Sequence, residues 1–161
     1  IDVTQVFSTR SAFAALRADG SVVTWGYISR GGDSSAVATA LNGTIDVTQV
    51  FSNDDAFAAL RADGSVVTWG DGYYGGNSSA VAAALNGTID VTQVFSNAGA
   101  FAALRADGSV VTWGGAYYGG NSSAVATQLD GTIDVTQVFS TATAFAALRA
   151  DGSVVTWGDD P

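Results

Sequence analysis

The chain contains no cysteine, histidine, methionine, lysine or glutamate, and only one proline. Without cysteine there are no disulfides, thiol nucleophiles or zinc–thiolate sites. Without histidine the commonest general base and the usual pH switch are missing. No run is long and apolar enough to read as a bilayer-spanning helix, so no membrane insertion is expected. Positive charge is scarce: six Arg against fifteen Asp give a net charge of −9, with no basic patch. That balance argues against nucleic acid or an anionic membrane as a partner. What is present is 47% hydrophobic and only 13% charged, the composition of a folded chain.

The dominant feature is repetition. IDVTQVFS begins at Ile1, Ile45, Ile89 and Ile133, a period of 44 residues. The repeats are 1–44, 45–88, 89–132 and 133–161, the last without the final linker, and together they read as one repeat domain over 1–161. A period of roughly 20–50 residues signals a propeller, solenoid or array.

Within the first repeat, Val3–Ser8 is β-branched and aromatic enough for a strand, A. Ala12–Arg17 reads as strand B and Ser21–Gly26 as strand C, joined by the tight turn Ala18-Asp19-Gly20. Gly20 can take the left-handed conformation that closes a three-residue hairpin loop. That register pairs Arg17 with Ser21, Leu16 with Val22, Ala15 with Val23 and Phe13 with Trp25. After a Gly-rich loop, Asp33 (Asn77 and Asn121 in the next copies) stands as an N-cap before Ala-rich Ser34–Leu41, and Asn42-Gly43 is a stop. A short helix is the preferred reading of this linker and a fourth strand the alternative.

Strand side chains alternate, so the hairpin has two faces. Phe13, Ala15, Val23 and Trp25 share one; Ala12, Ala14, Leu16, Val22 and Thr24 share the other. Neither suits solvent, so both must be covered. The pairs Phe13–Trp25, Phe57–Trp69, Phe101–Trp113 and Phe145–Trp157 are therefore expected as structural core rather than ligand platforms. A bulky face and a small-residue face on identical units can pack front to back. Such a contact closes into a ring or runs on as an open stack. The expected fold is mainly β: tandem β-meanders in a propeller-like ring or open stack, with a short helix in each linker.

The motif residues carry a family resemblance. Val6 is followed ten residues later by Leu16 and then Arg17-Ala18-Asp19-Gly20-Ser21-Val22-Val23-Thr24-Trp25-Gly26. The second copy continues as Asp71-Gly72-Tyr73-Tyr74-Gly75-Gly76. Each copy resembles the regulator-of-chromosome-condensation repeat, a blade unit of seven-bladed β-propellers. Thr9-Arg10 stands where that family has Gly-Gly, Ala12 where it has His, and the repeat is shorter. The resemblance implies a propeller blade. Eukaryotic members exchange nucleotide on a small GTPase and bacterial relatives bind other proteins; no exchange residue maps onto this chain.

Differences among the copies fall mainly after strand A and after strand C, while Ala-Asp-Gly-Ser never varies. In an A–B–C meander both variable loops lie at one end, the place where rigid scaffolds carry binding residues. The candidate interaction residues are Arg10, Asp54, Asp55, Tyr73, Tyr74, Tyr117 and Tyr118. Paired Tyr can stack on sugars, anchor a protein interface, or simply pack over the blade edge.

No catalytic, metal or cofactor residue is expected. Asp19, Asp63, Asp107 and Asp151 are turn formers without the oxygen spacing of a calcium loop. The Gly-rich loops lack a following Lys, which removes a phosphate site, and no His or Lys is present to activate a Ser or Thr. Asp54-Asp55 and Asp159-Asp160 are adjacent, so within a strand their side chains diverge, and both read as solvated loop rather than an acid pair.

The leading expectation is a non-enzymatic structural or protein-interaction module that joins copies of itself head to tail. Repeat arrays need polar caps, and here the first and last units look like interior ones. The alternatives are a carbohydrate-binding module using the Tyr loops, and an engineered or amplified scaffold. Polar surface built from Ser, Thr, Asn, Gln and Asp resembles that of large secreted bacterial proteins, which suggests an extracellular or cell-surface setting. The absence of an initiating Met and of a signal peptide reads as a mature product, an engineered chain or a segment of something longer.

Overall fold

A computed structural model describes residues 2–159. Asp160, half of the Asp159-Asp160 pair discussed above, lies outside the described residues. Twelve strands form four separate three-stranded antiparallel sheets, each a meander in chain order. They are β1 (Val3–Ser8), β2 (Ala12–Arg17) and β3 (Val22–Gly26); β4 (Val47–Ser52), β5 (Ala56–Arg61) and β6 (Val66–Gly70); β7 (Val91–Ser96), β8 (Ala100–Arg105) and β9 (Val110–Gly114); β10 (Val135–Ser140), β11 (Ala144–Arg149) and β12 (Val154–Gly158).

The hairpin turn sets the register. Gly20 has φ +74°, and its N–H donates to the Arg17 carbonyl at 3.0 Å. The Asp19 carboxylate accepts both the Ser21 N–H (3.1 Å) and the Ser21 hydroxyl (2.6 Å), the local bonding that favours Asp in turns. Phe13 then faces Trp25, Ala15 faces Val23 and Leu16 faces Val22, as the turn chemistry requires. Ser21 is taken up by the turn, so β3 begins one residue later than the sequence suggested. Between β1 and β2 a bulge separates Val3 from Gln5. The intervening Thr4 turns its hydroxyl onto the Leu16 carbonyl at 3.1 Å. No sequence signal announced this bulge.

The linker is helical, but as 3-10 rather than α: Ser35–Ala40, Ser79–Ala84 and Ser123–Gln128. Six residues are too few for α-helix to propagate, and Val37 leaves helical geometry at φ −120°. Asp33 accepts the Ser35 N–H at 2.8 Å, while Ser34 occupies the N-cap position without a side-chain cap bond. The linker ends on buried Leu41, whose carbonyl accepts the Val22 N–H at 2.9 Å. One bridge, Ser21 with Asn42, is all the pairing the linker makes with the sheet. It therefore fills the position where a fourth strand was the alternative.

Units pack front to back. Phe57, Ala59 and Trp69 of the second unit meet Ala12, Ala14, Leu16 and Val22 of the first, with Leu41, Val47 and Val50 completing the cluster. The next two junctions repeat this with equivalent residues. Each Phe–Trp pair is stacked, for example at 5.1 Å and 19° for Phe57–Trp69. Each junction also carries a polar latch. Trp69 Nε1 donates to the Gly31 carbonyl, Trp113 to Gly75 and Trp157 to Gly119, at 3.0–3.1 Å. A buried indole N–H needs such a partner.

The array is open. Phe57 and Trp69 are 0% and 4% exposed, whereas Phe13 and Trp25 are 44% and 46% exposed. This corrects the expectation of Phe13 and Trp25 as core. They stack like the other pairs, at 5.4 Å, but no unit of this chain lies in front of them. At the other end Phe139 and Val154 are exposed, and Phe139 borders a depression of about 180 Å³ that includes Ala144, Ala146 and Thr156.

Candidate interaction surface

The loops after strands A and C lie together at one end of each unit. Thr9 donates its hydroxyl to the Arg30 carbonyl at 3.1 Å. Asn53 Nδ2 donates to the Tyr74 carbonyl and Asn97 Nδ2 to the Tyr118 carbonyl, both at 2.6 Å. The same Asn side chains cap their own loops by accepting N–H bonds from residues two and three positions on. Asn at the first loop position thus clamps one variable loop to the other.

Across units the loops build a continuous rail. Arg10 and Arg30 of the first unit both ion-pair with Asp55 of the second, Arg30 at 3.3 Å, and Arg10 also lies 3.9 Å from Asp54. The Arg10 guanidinium sits 5.9 Å from the Tyr74 ring centre, a cation–π distance. Tyr74 meets Tyr118 of the third unit at 6.0 Å, and Tyr73 and Tyr117 stand edge-on to their neighbours Tyr74 and Tyr118. The Asp159 N–H of the fourth unit donates to the Tyr117 carbonyl at 2.8 Å, and the Asp159 carboxylate nearby, through hydrogen bonding and its negative charge, holds the Tyr117 phenol above the usual pKa. Burial is the main cause of a similar rise at Tyr118, followed by the proximity of Tyr74.

The candidate residues therefore divide. Arg10, Asp54, Asp55, Tyr74 and Tyr118 are joined within the rail. Tyr73 and Tyr117 project from it, 58% and 46% exposed. Asp55 departs from its reading as solvated loop: it is buried, because two arginines from the preceding unit close over it, and a buried carboxylate requires such partners. Arg30, Asn53 and Asn97 were missed. A signal existed for Arg30: both loop arginines occur in the first copy and the Asp-Asp pair in the copy that follows it.

The opposite end carries the invariant turns. Asp63 and Asp107 are held below the usual carboxylate range, chiefly by the hydroxyls of Ser65 and Ser109. Clefts of about 370 and 440 Å³ lie beside the linkers, one lined by residues such as Asn77, Ser78 and Trp113, the other between the third linker and the end of β12 and lined by residues such as Tyr117, Ser122 and Trp157. Among the described residues no group of three Asp could hold a metal ion, and no helix is long and apolar enough to cross a membrane.

A family model described as the regulator of chromosome condensation (RCC1) repeat matches residues 47–75, from the start of β4 to the Gly-rich loop after β6. That segment is similar to a repeat of this type, and the Leu60–Gly70 stretch within it recurs unchanged at Leu16–Gly26, Leu104–Gly114 and Leu148–Gly158. No curated protein sequence matches the chain. Among solved structures, Prp20p from Saccharomyces cerevisiae, studied for its binding to Gsp1p and histones, aligns at a TM-score of 0.64 and 18% identity over 97% of this chain and 44% of its own. The ectodomain of the Physcomitrella patens receptor kinase CR4 aligns at 0.59 and 17%, over 97% and 40%. Human WBSCR16 aligns at 0.58 and 19%, over 98% and 48%. At these identities the likeness is one of fold: a propeller-type array of β-meanders. The chain spans less than half the length of each of these structures.

Proposed function

We propose that the chain is a non-enzymatic repeat scaffold that joins copies of itself head to tail and presents its loop rail to protein partners. The observation that carries this reading is the contrast between the interior and terminal Phe–Trp pairs. Every internal junction places a Phe–Trp face on the Ala-rich face of the unit before it. The first unit leaves its Phe13–Trp25 face uncovered, and the fourth leaves Phe139 and Val154 uncovered. The two ends carry the Phe–Trp face and the Ala-rich face that the chain already joins three times, although the fourth unit has no counterpart of the linker that supplies Leu41 and the Gly31 carbonyl to the first junction, and burying such apolar area is the main drive for association. A second copy of the chain is the occupant committed to here.

Molar mass by light scattering across a concentration series tests this. Mass rising above the monomer, and returning to it in Trp25→Arg, is the expected result. A strict monomer at every concentration would overturn the reading.

A glycan-binding reading is favoured by one observation, the exposure of the Tyr73 and Tyr117 rings. Tyr74 and Tyr118, half-buried in the rail, are the wrong pair to probe. Binding on a glycan array that is lost in Tyr73→Ala/Tyr117→Ala would support it, and no binding to any glycan would end it. A secreted or cell-surface setting is supported only by composition; protease accessibility on intact host cells decides it.

A further inference from the structure

The loops after β1, β4, β7 and β10 differ in sequence, reading Thr-Arg-Ser, Asn-Asp-Asp, Asn-Ala-Gly and Thr-Ala-Thr. They nevertheless form one regular hydrogen-bond ladder through their backbones. The Arg10 N–H donates to the Asp54 carbonyl (2.9 Å), the Asp54 N–H to the Ala98 carbonyl (3.3 Å), and the Ala98 N–H to the Ala142 carbonyl (3.1 Å). Each rung links equivalent positions of neighbouring units and points forward along the array. Main-chain groups supply it, so the side chains are free to vary. At the second and third junctions, though not at the first, a further rung runs backward just inside this ladder: Ser96 Oγ donates to the Ser52 carbonyl (2.9 Å) and Ser140 Oγ to the Ser96 carbonyl (3.1 Å).

At the ends these ladders stop on unmatched groups. Among the described residues the Ala142 N–H has no backbone acceptor and the Arg10 carbonyl no backbone donor. The Ser8 hydroxyl and the Ser140 carbonyl are likewise without such a rung. A donor and an acceptor of each ladder therefore stand at opposite ends of the molecule, in the sense that a front-to-back joint would bring together.

We infer that the joint between two copies is a two-rung seam: the Ala142 N–H of one chain donates to the Arg10 carbonyl of the next, and the Ser8 hydroxyl of that next chain donates to the Ser140 carbonyl of the first. This rests on the head-to-tail reading above and gives it a fixed register and polarity. The front of one chain meets the back of another, never front to front. Because the forward rung is backbone, the joint requires no particular residue at position 10 or 142. The seam continues the loop rail from one chain to the next, so a partner that reads the rail meets one uninterrupted edge.

The absence of native cysteine makes the test clean. Ser8→Cys/Ser140→Cys places one thiol at each end, at positions equivalent to the interior pair Ser52 and Ser96. Under mild oxidation this variant is expected to form covalent multimers that collapse to monomer on reduction, and each single variant to form at least tenfold less. The interior variant Ser52→Cys/Ser96→Cys gives the yield the geometry permits within one chain. Equal cross-linking of the Ser8→Cys single variant would mean a front-to-front joint and overturn the seam. Hydrogen exchange of the 141–143 amides is a second readout that needs no disulfide geometry. Protection of Ala142 that rises with concentration supports the seam. Self-association by mass without that protection overturns the seam but leaves head-to-tail assembly standing, whereas a monomeric mass throughout overturns both.

Discussion

Phe57–Trp69 and Phe13–Trp25 are the same two side chains on the same strands, stacked at nearly the same distance. One pair is sealed and the other is open to solvent. Nothing local separates them, since the hairpins that carry them share register and turn. The difference is the neighbour. Burial in this molecule is a property of the junction rather than of the unit, as expected where stability is a sum of unit and nearest-neighbour contributions. An identical residue should therefore have different energetic consequences at the two places.

The largest effect tests that directly. Phe57→Ala removes a fully buried ring and should destabilise by about 3–5 kcal/mol, whereas Phe13→Ala in the dilute monomer should cost less than about 1 kcal/mol. Urea unfolding at low concentration checks this, and equal losses would break the contrast. Next comes the rail at the first junction. Arg10→Ala/Arg30→Ala leaves the buried Asp55 carboxylate without a counter-charge and should cost about 3 kcal/mol. Each single change should cost less than half of that, because the other guanidinium remains. Additive single effects would show that the two arginines do not share one partner.

A smaller contrast lies in the turns. Gly108 and Gly152 both have positive φ, at +76° and +83°. A Cβ at Gly108 would lie 2.5 Å from the Asp134 carboxylate, while one at Gly152 would meet nothing within 4 Å. Gly152→Ala should cost only the left-handed backbone penalty of about 1–2 kcal/mol, and Gly108→Ala measurably more. The smallest effect is one of pH. Asp63 and Asp107 have folded pKa values below the unfolded value of about 3.9. The folded state thus binds these protons less readily, so the stability they supply is present above that pH and is lost as pH falls through their folded values. Both groups are partly solvated, so the slope should be shallow, and Ser65→Ala/Ser109→Ala should flatten it further. An unchanged acid limb in that variant would count against the hydroxyl bonds.

The hairpin was legible because its information is local: Ala-Asp-Gly-Ser fixes the turn, the turn fixes the register, and alternation fixes the faces. The front-to-back packing followed from the faces alone. The β1 bulge escaped because Thr4 is ordinary strand sequence, and only its hydroxyl bond to the Leu16 carbonyl reveals the slip. The linker was legible as helical but not as 3-10, a choice made by its short length and by the Leu41 anchor to β3. The rail was the least visible part. Arg10 and Asp55 are 45 residues apart, and the ladder joins equivalent residues 44 apart. Such contacts exist only once the units are stacked, so Asp55 reads as a solvated loop residue until its neighbours are in place.

The central claim is that a second copy covers the exposed front face as the internal junctions cover theirs. Fluorine NMR of fluorotryptophan-labelled protein tests it most directly, because the chain has four Trp, one per unit, and Trp25→Phe assigns the first. With rising concentration the Trp25 resonance should move toward the shifts of the three buried indoles and lose its sensitivity to solvent isotope, while the other three stay fixed. A Trp25 resonance that remains solvent-exposed at every concentration would contradict the account.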